Sequence, residues 1–143
     1  MTRETISEST GYLIAQACKR HRKKAGELLS AIDLHVGQEM FLLQLWKRDG
    51  LTQSELANGL CVEPATITRM LDRMECSGLV QRRKNLADQR VTQVYLTPTG
   101  RALQEPVQDV WQDLEAISMV DFSLEERLLL RRLLMQLVDN LAI

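Results

Sequence analysis

Residues Cys61–Gly78 read "CVEPATITRMLDRMECSG", and this stretch decides the fold. Pro64 suits the first turn of a helix, where its missing N–H costs nothing. Ile67, Met70, Leu71 and Met74 recur at i, i+3, i+4 and i+7, so they share one face. The other side carries Ala65, Arg69 and Asp72, flanked by Thr66, Thr68 and Arg73. Ser77-Gly78 ends the element. Such a helix packs its apolar side on a domain and leaves small and basic side chains outward.

Upstream, the start signal for the preceding helix is unusually complete. Thr52 can cap it, with Glu55 three residues on as the partner of a capping box. Leu51 and Leu56 flank this pair as a hydrophobic staple. The helix is short, because Asn58-Gly59 falls within a turn of its end. A short capped helix, a tight turn and a second helix make a helix-turn-helix. The second helix is sized for a major groove. Near its amino end Ala65, Thr66 and Thr68 can reach bases or thymine methyls, and Arg69 can fork onto guanine. The amino terminus at Pro64 faces phosphates favourably.

Downstream, Leu79–Lys84 and Val91–Leu96 alternate as strands, joined by a polar loop Asn85–Arg90. A β-hairpin here lets an arginine reach the neighbouring minor groove, where narrow tracts attract it. Arg90 is the candidate for that contact. Asp88 is an organiser that pairs with an arginine, since a carboxylate facing DNA is repelled. Arg82, Arg83 and Lys84 at the hairpin base are placed to meet phosphates.

Further out the chain is helical. A first helix runs from about Gly11 to Ser30, with Leu13, Ile14, Ala17, Ala25, Leu28 and Leu29 as its apolar stripe. "KRHRKK", Lys19–Lys24, interrupts it; a solvated face and a contact with acidic helices or nucleic acid both remain open. A second helix covers about Gly37 to Arg48 and stops at Asp49-Gly50. Thr97-Pro98 starts a long amphipathic helix reaching about Val120, and Ser123 with Glu126 caps the last one. The expected class is mostly α (α+β), in the order four helices, hairpin, two helices.

The 143 residues carry a net charge of −1, which argues against a general polyanion binder. The charge is uneven. Residues 1–51 hold eight Lys/Arg against six Asp/Glu, residues 52–100 six against five, and residues 101–143 four against eight. The three cysteines, Cys18, Cys61 and Cys76, show no CxxC spacing and form no ligand set with His21 and His35. No metal site, cofactor or disulfide framework is expected, and the cysteines read as small apolar fillers. Paired carboxylates, a Ser/His/Asp set and a glycine-rich phosphate loop are missing, so an enzyme is not expected and no catalytic residue is named. With no membrane-length apolar run and a polar amino terminus, a cytoplasmic location is the default.

The span Leu51–Gly100, with "TITRMLDRMECSGLV", the "DQR" of the hairpin loop and the closing "LTPTG", resembles the winged helix-turn-helix of the MarR family of bacterial transcription regulators. The flanking helices match in number and length. The resemblance implies a homodimer built from residues 1–34 and 99–143, around a DNA-binding domain at 35–98. It implies binding of a pseudo-palindromic double-stranded DNA operator, with half-sites ~34 Å apart, and repression as the usual sign. By the same resemblance Thr66, Thr68, Arg69 and Arg73 act in the recognition helix, Ser54 at a phosphate, and Asp88 and Arg90 as the wing pair. The family's wing often carries a proline and a second arginine where this chain has Leu86 and Gln89.

Many of the family release DNA when a small aromatic acid binds between the winged domain and the dimer helices. Tyr12, His35, Met40, Phe41 and Trp46 are the candidates to line such a cleft, against a plain core with His35 at a helix start. Others of the family sense oxidation at a cysteine near the start of the first helix; Cys18 lies about two turns beyond that position. Two alternatives to an effector-responsive regulator are a dimeric scaffold that kept the winged fold and a cysteine-based redox sensor. The exposed arginines argue against the scaffold.

Overall fold

The structure, a computed structural model, describes residues 2–142. A short 3-10 turn at Ile6–Glu8 leads into α1 (Thr10–Ser30), then α2 (Gln38–Lys47), β1 (Leu51–Thr52), α3 (Gln53–Leu60) and α4 (Pro64–Cys76). The hairpin strands β2 (Val80–Lys84) and β3 (Thr92–Leu96) follow, then α5 (Pro98–Ala102), α6 (Gln104–Ser118) and α7 (Leu124–Leu141). Pro64 opens α4 in its first turn, Thr97 caps α5 with its hydroxyl, and Ser123 with Glu126 closes a full capping box on α7.

Two elements differ from the sequence expectation. The hairpin is part of a three-stranded antiparallel sheet in the order β1-β3-β2, with Leu51 opposite Val94 and Thr52 opposite Gln93. Leu51 and Thr52 carry the staple and cap roles and also a strand; two residues are too few to show a period of two. With the Thr52 backbone running in β1, only half of its capping box forms. The Thr52 hydroxyl accepts the Glu55 N–H at 3.0 Å, while the Glu55 carboxylate meets the hydroxyl instead of the Thr52 backbone. The expected long helix from Pro98 is also interrupted, at Leu103 between α5 and α6. The residue that would donate to the Ala102 carbonyl is Pro106, which has no N–H and whose ring crowds that carbonyl.

One apolar core unites the carboxyl half of α1 (Ala25, Leu29), α2 (Phe41, Leu42, Leu45), the helix-turn-helix (Leu56, Ile67, Leu71, Met74), the sheet (Val80, Val94) and α6 (Val107, Val110, Leu114). Gly100 locks the junction of sheet and α5. A Cβ there would run into the Leu79 carbonyl, which already accepts the Thr97 N–H, while the Trp46 indole N–H donates to the Gly100 carbonyl at 3.0 Å. By contrast α7 buries no residue, and its leucines stand exposed along the helix.

The three cysteines are free and exposed, so the filler role expected of them is corrected: none is part of the core. The "KRHRKK" side chains are exposed, with the last lysine paired within α1 to Glu27 at 3.2 Å and His21 edge-on to Trp111 of α6. Among the described residues, no helix is long and apolar enough to cross a membrane.

Candidate nucleic-acid interface

Helix α4 is seated by Ile67, Leu71 and Met74, each no more than 1% exposed. Burying three such side chains contributes about 1.5–3 kcal/mol apiece, which holds the helix rigidly against the core. Its outer side then presents Pro64, Ala65, Thr66, Thr68, Arg69 and Arg73, all exposed. The Thr68 hydroxyl donates to the Pro64 carbonyl at 3.1 Å, leaving its oxygen lone pairs as acceptors. Glu63 precedes the helix without a side-chain cap, so the first N–H groups are not blocked by a side chain. Ser54 is exposed in the first turn of α3.

Arg82 does not face outward as a phosphate contact. Side chains alternate along β2, and Arg82 shares the inward side with Val80. Its backbone N–H donates to the Glu75 carboxylate at 2.9 Å, and its Nη2 reaches Glu75 Oε1 at 3.0 Å and Asp72 Oδ1 at 2.6 Å. The Arg82 backbone N–H, then its guanidinium, hold the Glu75 carboxyl below the usual range. Asp72, the one acid on the outward side of α4 in the sequence, is thereby paired off.

Arg83 and Lys84 do remain exposed. The Arg83 guanidinium lies 4.9 Å over the Tyr95 ring, and Lys84 Nζ donates to the Gln89 carbonyl at 3.3 Å. Beyond them Asn85 shapes the wing: its side-chain oxygen accepts the N–H groups of Ala87 and Asp88 at 2.8 and 3.1 Å. Asp88 then accepts both the backbone N–H and the Nε of Arg90 at 3.1 Å. The Arg90 side chain, then its N–H, hold the Asp88 carboxyl below its ordinary value. The Arg90 side chain is 90% exposed even while paired, so it is free to turn onto a phosphate or a groove. Leu86 tops the loop at 98% exposure.

A cavity of about 390 Å³ lies between α2 and α6, away from this face. Met40, Leu43 and Trp46 form one wall and Val107 and Trp111 the other, with Glu39, Gln104 and Gln108 as the polar groups. Of the residues suggested for an effector cleft, Met40 and Trp46 line it. Phe41 is in the core at 4% exposure, Tyr12 is exposed near the start of α1, and His35 is exposed before α2; the fold does not bring these three to the cavity.

The MarR family profile matches residues 34–92. The multiple antibiotic resistance protein MarR of Salmonella typhimurium is 34% identical over 109 residues, which are 73% of this chain and 76% of that protein. The chain belongs to the MarR family. Another relative, the regulator TtmR of Methylorubrum extorquens, is 36% identical over 77 residues, 54% of this chain and 40% of that protein. A solved structure of a MarR point mutant from E. coli, complexed with operator DNA, superposes with a TM-score of 0.84 at 29% identity, covering 94% of this chain and 99% of that one. BpsR of Bordetella bronchiseptica, whose DNA binding is regulated by 6-hydroxynicotinic acid, shares the fold with a TM-score of 0.86 at 23% identity, over 96% and 99% of the two chains. The protein is thus a DNA-binding transcription regulator with the winged helix-turn-helix of the MarR family.

As a MarR-family structure it also has parts that sequence reading missed. Asn85 as the wing's organiser and Arg82 as a clamp had no sequence signal beyond polarity. The cavity walls on α6 did have one: Gln104, Gln108 and Trp111 fall at i, i+4 and i+7.

Proposed function

We propose that this MarR-family chain acts as a homodimeric repressor, not an enzyme, that binds a pseudo-palindromic operator in the cytoplasm and releases it when a small aromatic effector occupies the α2–α6 cavity. Residues 1–34 and 99–143 pair the subunits, and residues 35–98 read DNA. The observation that carries this reading is the outer side of α4. Its Arg69 and Arg73 are exposed and make no ion pair among the described residues, while the two acids of α4, Asp72 and Glu75, are held by Arg82. Thr66, Thr68, Arg69 and Arg73 meet bases and the adjoining backbone; Ser54, Arg83 and Lys84 meet phosphates; Arg90 enters the minor groove, oriented by Asp88. Support also comes from the E. coli MarR structure with operator DNA, in which the same fold meets that partner. For the effector the support is the cavity and the case of BpsR, regulated by 6-hydroxynicotinic acid.

The test is fluorescence anisotropy on the protein's own promoter fragment and on random DNA, across a salt series. A regulator binds its operator at least ~10³-fold more tightly than random DNA, with affinity falling steeply as salt rises. Arg69→Ala costs about 1–3 kcal/mol on the operator and blunts the preference for one base pair. Weak, unselective binding indifferent to Arg69 refutes the proposal.

A further inference from the structure

The walls of the α2–α6 cavity bear directly on the charge of its occupant. Trp46 turns its one polar atom away, onto the Gly100 carbonyl, and Trp111 stands opposite on α6. Both indoles of the protein therefore line the same space. Among the residues lining it there is no Lys, Arg or His, and there is one carboxylate, Glu39. Glu39 is only 4% exposed; its carboxylate is met by main-chain N–H groups alone, that of Gly37 at 3.3 and 3.1 Å and its own, and by no side-chain donor among the described residues. A carboxylate accepts up to about four hydrogen bonds, so much of its capacity is open. Two basic groups of α1 stand behind the cavity walls. His21 lies edge-on to Trp111 at 5.7 Å, and the charge of Arg22 acts on Glu39; neither lines the cavity.

We propose that this cavity binds a cationic aromatic amine, and that Glu39 turns aromatic carboxylates away. The inference rests on the α2–α6 cavity being the effector site. An ammonium group gives Glu39 a cation within the cavity, where the lining residues offer none, and attraction between opposite charges is stronger beside a buried group than in water. The aromatic part stacks between the indoles, whose faces also attract cations. Gln104 and Gln108 supply neutral donors and acceptors that fix its orientation. A carboxylate guest meets the reverse: no cation to pair with, and a like charge on the wall.

Three probes with one skeleton and different charge decide the matter: phenethylamine, 2-phenylethanol and phenylacetate. Each is titrated into the full-length protein, with its tryptophan fluorescence as the readout. The amine is expected to bind at least about tenfold more tightly than the alcohol or the acid, a gap of about 1.4 kcal/mol. Glu39→Gln should bring amine and alcohol within about twofold, and Gln108→Glu should strengthen the amine further. The Gln108 variant and the wild-type series stand even where the Glu39 variant folds poorly. The proposal is overturned if the acid binds as well as the amine, if the preference survives Glu39→Gln, or if no probe perturbs the fluorescence. Operator binding is measured separately on the same samples without probe. Loss of the charge preference with operator binding intact sinks the ligand assignment alone; loss of operator binding sinks the regulator reading.

Discussion

Arg69 and Arg90 are both exposed arginines, but their settings predict different defects. Arg69 sits on a rigid helix, where removing a base contact relaxes specificity. Arg90 sits on a loop and is already paired with Asp88. Arg90→Ala is expected to weaken operator and random DNA alike, and to reduce the slope of log affinity against log salt by about one. Anisotropy titrations at several salt concentrations separate the two; a sequence-dependent loss at Arg90 would show base reading by the wing instead. Glu39 has a residue-level signature of another kind. Burial pushes its carboxyl above the ordinary value of 4.5, against its own N–H, the Gly37 N–H and Arg22, which pull it down. Folding therefore favours its protonated form. The group's contribution is most favourable below the unfolded value and is lost as pH rises through the raised folded one. Glu39→Gln should accordingly raise the melting temperature at neutral pH, with the gain fading below about pH 4.5. Thermal melts from pH 4 upward, run about half a unit apart, check this; a gain that grows toward acid pH contradicts it.

The element that most affects reading is the pair α4–β2, joined by Arg82. The clamp fixes the angle between recognition helix and wing, so both arrive at DNA preformed. Arg82→Ala should cost only on the order of 1 kcal/mol of stability, because Asp72 and Glu75 are 56% and 39% exposed and water screens the pairs. Operator affinity should fall by more than that stability loss, and Arg82→Lys, which keeps the charge without the fork, should recover only part of it. Equal operator binding by Arg82→Ala and wild type removes the clamp's role. This arrangement also marks where sequence legibility ends. The apolar spacing of Ile67, Leu71 and Met74, Pro64 at a helix start and the Ser123–Glu126 box express local geometry, so α4 and α7 were readable within a few residues. The outward groups Thr66, Thr68, Arg69 and Arg73 followed from the same spacing. Arg82 did not, because "RRK" shows three cations in a row, and only the pleat of β2 against α4 selects the one that turns inward. β1 is hidden by its brevity, and the break at Leu103 rests on a single residue, Pro106. The cavity joins α2 to α6, far apart in sequence, a pairing that periodicity within either helix cannot supply; hence the sequence points to Tyr12, His35 and Phe41 and passes over Leu43 and Trp111.

At the scale of the whole molecule, the unresolved physical tension is α7. It is 18 residues long and buries none of them, although Leu128, Leu133, Leu134, Met135 and Val138 give it a broad apolar surface. A second opening, of about 690 Å³, separates it from the end of α6 near Met119. A lone amphipathic helix in water gains little from its own hydrogen bonds and depends on packing. Exposed apolar surface of this extent marks an interface, and Leu13 on α1 is exposed as well. A second copy of the chain would supply the same surface by two-fold symmetry, as a reader of paired half-sites requires. Leu134→Glu introduces a charge on each side of that interface while touching no core residue. It should convert the dimer to a folded monomer with unchanged helical circular dichroism, as read by sedimentation velocity. Each half-site then binds alone, so operator affinity should fall by at least ~10²-fold, while weak binding to random DNA persists. A variant that stays dimeric with full operator affinity would move the subunit interface off α7.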